Sequence, residues 1–155
     1  MKWLAVDYGD SRTGLAVCDA GEMITTPVTP PIEEKSMNKV ASAVVAAAHD
    51  KGAAGLVCGL PKNMDGTEGK RAGKSRRFAQ RLANMADMPV VLWDERRTTV
   101  SAAAILADND TFGQKRKERL DSVSAAVILE SFLNWRAHHP GEDAPEQLLP
   151  AGQQE

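Results

Sequence analysis

The stretch "AAGLVCGLP", residues 53–61, is apolar at nearly every position, and "MPVVLW", residues 88–93, does the same after an intervening amphipathic segment. A strand with one wet face alternates apolar and polar residues. A short continuous apolar run is a strand covered on both faces. Two such strands demand helices above and below them, and the chain supplies candidates. "SMNKVASAVVAAAHDKG" is rich in Ala, Val and Met, begins at a capping serine, Ser36, and stops at Gly52. "SRRFAQRLANMAD" sets Phe78, Leu82 and Met85 at helical spacing. "TTVSAAAILADN" reads as a helix capped by Thr98 or Thr99, "DTFGQKRKER" as a charged loop or frayed turn, and "LDSVSAAVILESFLNWRA" as a strong final helix.

Upstream lie three further strand-like runs, "KWLAVDYG", "RTGLAVCDA" and "MITTPVTPPI", the last ended by Pro30 and Pro31. Short Gly-, Asp- and Ser-rich connectors make them an antiparallel meander. Three strands followed by helix, strand, helix, strand and two helices predict an α/β fold with a mixed five-stranded sheet flanked by helices. The end of the chain, "HHPGEDAPEQLLPAGQQE", has the Pro, Gly, Gln and Glu content of a disordered segment. The expected division is one folded domain over residues 1–136 and a disordered acidic tail over 137–155.

At 155 residues the chain has a one-domain length, enough for a core without disulfides or metal staples. No apolar run approaches the roughly 18 residues of a membrane span. "MKWLAVDYG" is too short in apolar residues for a signal peptide. Cys18 and Cys58 each lie in a strand-like run, and no C-x-x-C pair is present. They read as buried thiols of a cytoplasmic protein. The net charge of −2 hides an asymmetry: Lys62 to Arg119 holds 13 basic and 8 acidic residues, whereas the tail from Ala137 has four acids and no Lys or Arg. A basic middle suits a polyanionic partner, although solvated helix faces would carry the same charge.

Three acids stand out by position. Asp7 and Glu95 each follow an apolar run and end a strand, and in α/β sheets ligands collect beyond the carboxyl ends of strands. Periodicity alone does not choose Glu95 over Asp94, which alternates to the other face and suits a turn. Asp121 begins a stripe with Ala125, Ile128, Phe132 and Trp135, so it falls on the sheet-facing side of the final helix; a first-turn Asp facing solvent is the plain alternative. Converging carboxylates repel unless a cation sits among them. Hard oxygen ligands without nearby His or Cys suit Mg²⁺ or Mn²⁺, which can support in-line cleavage of a phosphodiester.

Four motifs then carry a family resemblance. "DYGDSRTGLAV" resembles the D-x-G-x-x-R-x-G-x-A opening of the YqgF (RuvX) family, "GLPKNMDGTEG" its G-L-P-x-x-M-D-G loop, "DERRTT" its D-E-R-x-T-T strand end, and "LDSVSAAVIL" its D-x-x-x-A-x-x-x-L helix. The match runs in order from about Lys2 to Leu133. The resemblance implies a ribonuclease H-like fold and metal-binding catalytic roles for Asp7, Glu95 and Asp121. It sets Arg12, Arg96 and Thr98 beside the site and implies 5′-end processing of pre-16S rRNA in ribosome biogenesis, with pre-rRNA or ribosomal subunit precursors as partners. Resolution of branched DNA junctions is the second reading. Arg97 stands where the family more often has an apolar residue. Ser124 stands where related junction resolvases have a further acid.

Other features are weaker. "EGKRAGKS" mimics a phosphate-binding loop, but Glu68 occupies the position that needs glycine. Lys70, Arg71, Lys74, Arg76 and Arg77 instead suit contacts to a nucleic-acid backbone, which need no fixed spacing, and Arg96 and Arg97 add to them. Trp93 and Trp135 suit core packing, and the three histidines carry no assigned chemistry. An actin-like ATPase also opens on an Asp-Gly turn but needs two such domains around its nucleotide. A non-catalytic ribosome-assembly or transcription factor on a nuclease fold would keep the basic residues without needing all three acids.

Overall fold

The computed structural model describes residues 1–97 and 114–153, with side chains in the 114–121 segment left aside. Strands β1 (Trp3–Asp7), β2 (Thr13–Cys18) and β3 (Thr25–Ile32) form the expected antiparallel meander. Helix α1 (Met37–Lys51), strand β4 (Gly55–Leu60), helix α2 (Lys70–Met85) and strand β5 (Val90–Asp94) follow. A 3₁₀ turn, Glu95–Arg97, leaves β5, and α3 (Gln114–His138) is the last long helix. β4 lies parallel to both β1 and β5, as the continuous apolar runs require. The sheet order is β3-β2-β1-β4-β5-β6.

The sheet divides two cores. Leu4, Val6, Leu56, Cys58, Leu60, Val90 and Leu92 face α1 and α2, meeting Val40, Val44, Phe78 and Leu82. Trp3, Ala5, Ala16, Val57, Val91 and Trp93 face α3, meeting Ala125, Ile128, Leu129 and Phe132. Phe132 is fully buried and takes the edges of Trp3 at 4.8 Å and Trp93 at 5.4 Å between ring centroids. Burial of each such side chain stabilises the fold by roughly 1.5–3 kcal/mol, so α3 is held by packing on this stripe rather than by its charged first turns. Helix α1 starts at Ser36, whose hydroxyl accepts from the Lys39 N–H, and ends at Gly52 in the left-handed region, φ 69°. Both thiols are buried, and desolvation pushes that of Cys58 up to about 12.

Three expectations are corrected. The sheet has six strands rather than five. The sixth, β6 (Gln147–Leu148), comes from the segment read as a disordered tail and pairs antiparallel with β5, Val90 with Leu148 and Val91 with Gln147. The Leu92 N–H donates to the Glu146 carbonyl at 2.9 Å, Gln80 donates to the Leu149 carbonyl, and the Ala151 N–H is accepted by Asn84. Without this cover β5 would leave an apolar strand with an open row of backbone donors and acceptors. Second, β3 runs through Pro30 and Pro31 to Ile32. It is the opposite edge of the sheet, where a missing N–H costs no ladder bond on the outer side. Third, residues 114–119, read as loop or frayed turn, already belong to α3. The helix expected from Thr98 lies outside the described residues.

Candidate active site

Two of the three expected acids, Asp7 and Glu95, lie at the carboxyl ends of β1 and β5 on the α3 side of the sheet. Side chains alternate along β1, so Asp7 shares a face with Trp3 and Ala5. Asp7 is half-buried and sits directly opposite Gly14 of β2. On its other flank Val6 pairs with Cys58, so one step further Asp7 comes level with Gly59 of β4. Gly59 in turn pairs with Trp93 of β5. Glycine therefore flanks the carboxylate on both neighbouring strands, so neither strand sets a side chain of its own beside it and the space over Gly59 is left to other elements.

The Glu95 carboxyl group uses that space. A Cβ placed on Gly59 would lie 3.1 Å from Glu95 Cδ and 2.6 Å from Ile128 Cδ1 of α3. Gly59 is thus a floor on which the Glu95 carboxyl group and Ile128 rest side by side. In the sequence Gly59 is one small residue of an apolar run and of the G-L-P motif. The signal was its parity with Val57, which puts it on the α3 face. Asp121 lies in α3 two turns before Ile128; its side chain, and Thr98, lie outside the described residues.

Burial pushes the Glu95 carboxyl above its usual range; Arg71 opposes this and Asp94 adds to it. A half-buried carboxyl group held in this way takes on its negative charge more readily when a cation is near. Asp94 behaves differently. Its carboxylate accepts from the Arg96 guanidinium at 2.7 Å and from the Arg96 N–H at 2.9 Å, and these bonds hold it below the usual carboxylate range. Asp94 is the turn residue that alternation suggested.

The basic residues are placed differently from one another. Arg71 Nη2 lies 3.5 Å from the Tyr8 carbonyl at the end of β1, and Lys74 pairs with Asp10 at 3.1 Å. With exposed Lys70 they set the N-terminal turns of α2 beside the strand ends. Arg96, held by Asp94, also reaches the Met64 carbonyl at 3.4 Å, and so braces the loop between β4 and α2. Arg97 turns onto Trp93, its guanidinium 5.1 Å from the ring centroid. Arg12 stands apart from these, lining a cavity of about 420 Å³ with Ser11, Glu33, Glu34 and Lys35. Arg76, expected to meet a nucleic-acid backbone, is instead bonded by both Glu68 and Glu146, with Lys62 beside them, so its charge is answered within the protein and the tail contributes one of the carboxylates.

Residues 1–135 match the family model described as RuvX, Holliday junction resolvase. Curated relatives provisionally named pre-16S rRNA nuclease include one from Ruegeria pomeroyi, 40% identical over 129 residues and 83% of each chain. Another, from Paracoccus denitrificans, is 38% identical over 129 residues, covering 83% of this chain and 81% of the relative. Among solved structures, RuvC of Thermus thermophilus in complex with a Holliday junction substrate superposes with a TM-score of 0.57 at 11% identity, covering 96% of this chain and 99% of that one. That likeness is one of fold: the ribonuclease H-like architecture expected from the motifs.

Proposed function

This chain belongs to the RuvX family, and we propose that it is a divalent-metal-dependent endonuclease that hydrolyses phosphodiester bonds in the 5′-end processing of pre-16S rRNA. The observation that carries the proposal is the pair of carboxylates from β1 and the end of β5, set on one face with Gly59 between them. The names of the curated relatives point to the RNA substrate.

The residues present fit a hard divalent cation. The donors are carboxylate oxygens, Gly14 and Gly59 set no side chain of β2 or β4 beside Asp7, and the buried Glu95 carboxyl group favours a nearby positive charge. Asp7, Glu95 and Asp121 would hold Mg²⁺ or Mn²⁺. Such an ion, when bound, activates water and offsets charge developing on the phosphate. The protein's own part is positional. β1 and β5 are buried strands, so Asp7, which ends the first, and Glu95, the first residue beyond the second, sit on rigid supports. Arg71 tempers the Glu95 charge and, with Lys70 and Lys74, lies where a phosphate backbone would pass. Arg96 and Arg97 extend that basic surface, Arg12 and Thr98 are assigned to the same substrate on the motif resemblance alone, and the working compartment is the cytoplasm.

The test is cleavage by the purified full chain with Mn²⁺ or Mg²⁺ of two substrates side by side: a 5′-extended 16S precursor fragment and a four-way DNA junction. Cleavage of the RNA that falls to background in Asp7→Asn supports the proposal. Preferential cutting of the junction would replace the RNA assignment with the DNA one. Parental-rate cleavage by Asp7→Asn would remove the carboxylate site altogether.

A further inference from the structure

Beside the strand end that carries Glu95, between β5 and the C-terminal turns of α3, lies an open groove of about 490 Å³. Its lining is unusual for a solvated surface. The Arg97 guanidinium sits over the Trp93 ring at 5.1 Å from its centroid, Trp93 meets Trp135 edge-on at 5.9 Å, and Trp135 is stacked on His139 at 4.4 Å and 12°. Two planar groups, a guanidinium and an imidazole, thereby present themselves already backed by indole rings.

The groove is also built rather than accidental. Trp93 Nε1 donates to Ser131 Oγ at 3.0 Å, and Ser131 Oγ donates to the Arg97 carbonyl at 3.1 Å, which fixes the turn that carries Arg97. The Trp135 carbonyl lies 2.8 Å from His139 Nδ1. A carbonyl only accepts, so Nδ1 carries the proton and Nε2 is left as an acceptor on the neutral ring. Exposed Asn134, on the same wall, offers both a donor and an acceptor. Planes for stacking, edge groups for hydrogen bonding and a fixed positive charge are the chemistry of an unpaired nucleobase and its phosphate. An apolar peptide would leave Arg97 and Asn134 unanswered.

We propose that this groove is a nucleobase subsite. It holds one unpaired base of the strand whose backbone crosses the Asp7–Glu95 site, stacked against Arg97 and His139, and so favours single-stranded segments next to the cut. This rests on the nuclease reading above. Arg97 is two residues from Glu95 in the same 3₁₀ turn, so one wall of the groove is carried by the turn that carries Glu95. It also gives a use to the arginine that departs from the family pattern.

The experiment measures binding of the full chain, without divalent metal, to an uncleavable 2′-O-methyl oligonucleotide carrying 2-aminopurine at successive positions. One position should be strongly quenched. Arg97→Ala and His139→Ala should each weaken binding by roughly 5- to 50-fold and relieve that quench, as loss of a stacked base predicts. Arg97→Lys keeps the charge but not the plane, and should recover little. An abasic residue at the quenched position should bring the parent to the affinity of the variants and leave the variants unchanged. Parental binding by both variants, or equal losses on intact and abasic strands, would overturn the subsite. If it fails while Asp7→Asn still abolishes cleavage, the nuclease reading stands alone. If Asp7→Asn cuts normally while the quench behaves as described, the subsite stands and the catalytic reading falls.

Discussion

Replacing Gly59 with alanine tests whether the floor of the site is built to hold Glu95. The new Cβ would sit 2.6 Å from Ile128 Cδ1 and 3.1 Å from Glu95 Cδ. Ile128 is only 1% exposed, so its methyl group can yield only by turning within a packed core. Inserting a methyl group there costs about 1–3 kcal/mol, and the stiffer backbone of alanine returns about 0.5–1. The expected net loss is ~1–2 kcal/mol, or a Tm lower by roughly 3–8 °C for a domain of this size. Ile128→Val removes the very atom in the way, at a cost of about 0.5–1.5 kcal/mol alone. The double variant should therefore lose less than the sum of the singles and melt close to Ile128→Val. Its cleavage rate should stay low, because the contact with Glu95 remains and the carboxyl group must shift by a few tenths of an ångström. Thermal melts and single-turnover cleavage of all four proteins decide the matter. A parental melt for Gly59→Ala, or strict additivity, would refute the packing argument. Full activity in the double variant would refute the claim that Glu95 must rest where it does.

Three other outcomes are expected. Burial raises the Glu95 pKa, so its contribution to stability is complete below the unfolded value near 4.5 and is lost as pH rises through the folded value. Glu95→Gln should accordingly melt above the parent at neutral pH, with the advantage fading on acidification toward pH 4.5; an unchanged difference across a pH series of melts would contradict this. Ending the chain after Gly141 removes the acceptor for the Leu92 N–H, the Glu146 pair with Arg76 and the partly buried Leu148. Stability should drop by roughly 1–3 kcal/mol in urea titrations, whereas a disordered tail would be lost silently. Substituting Lys70, Arg71 and Lys74 together by alanine should weaken binding across sequences and flatten the plot of log affinity against log salt by about 2 for a single strand; an unchanged slope would mean that they face away from the substrate.

Local pattern determined much of this protein. Continuous apolar runs at 53–61 and 88–93 specify strands buried on both faces, because any polar face would break the run. Asp7 and the Asp94–Glu95 pair stood out as candidate acids because a carboxylate at the end of such a strand is out of place for packing alone. Other features depended on partners distant in the chain. Gly59 is one apolar position among many until β1, β5 and Ile128 of α3 close around it. Arg97 reads as added charge beside the site, yet Trp93 supplies a ring for it to lie on. The tail has the composition of disorder, and a two-residue strand has no periodicity to detect. What orders it is the exposed edge of β5 and the guanidinium of Arg76, 70 residues before Glu146. Sequence determines what a segment needs, such as cover for an apolar face or a partner for a charge. Only the tertiary structure decides which distant segment meets that need, because backbone edges and side-chain surfaces come into being when the sheet assembles.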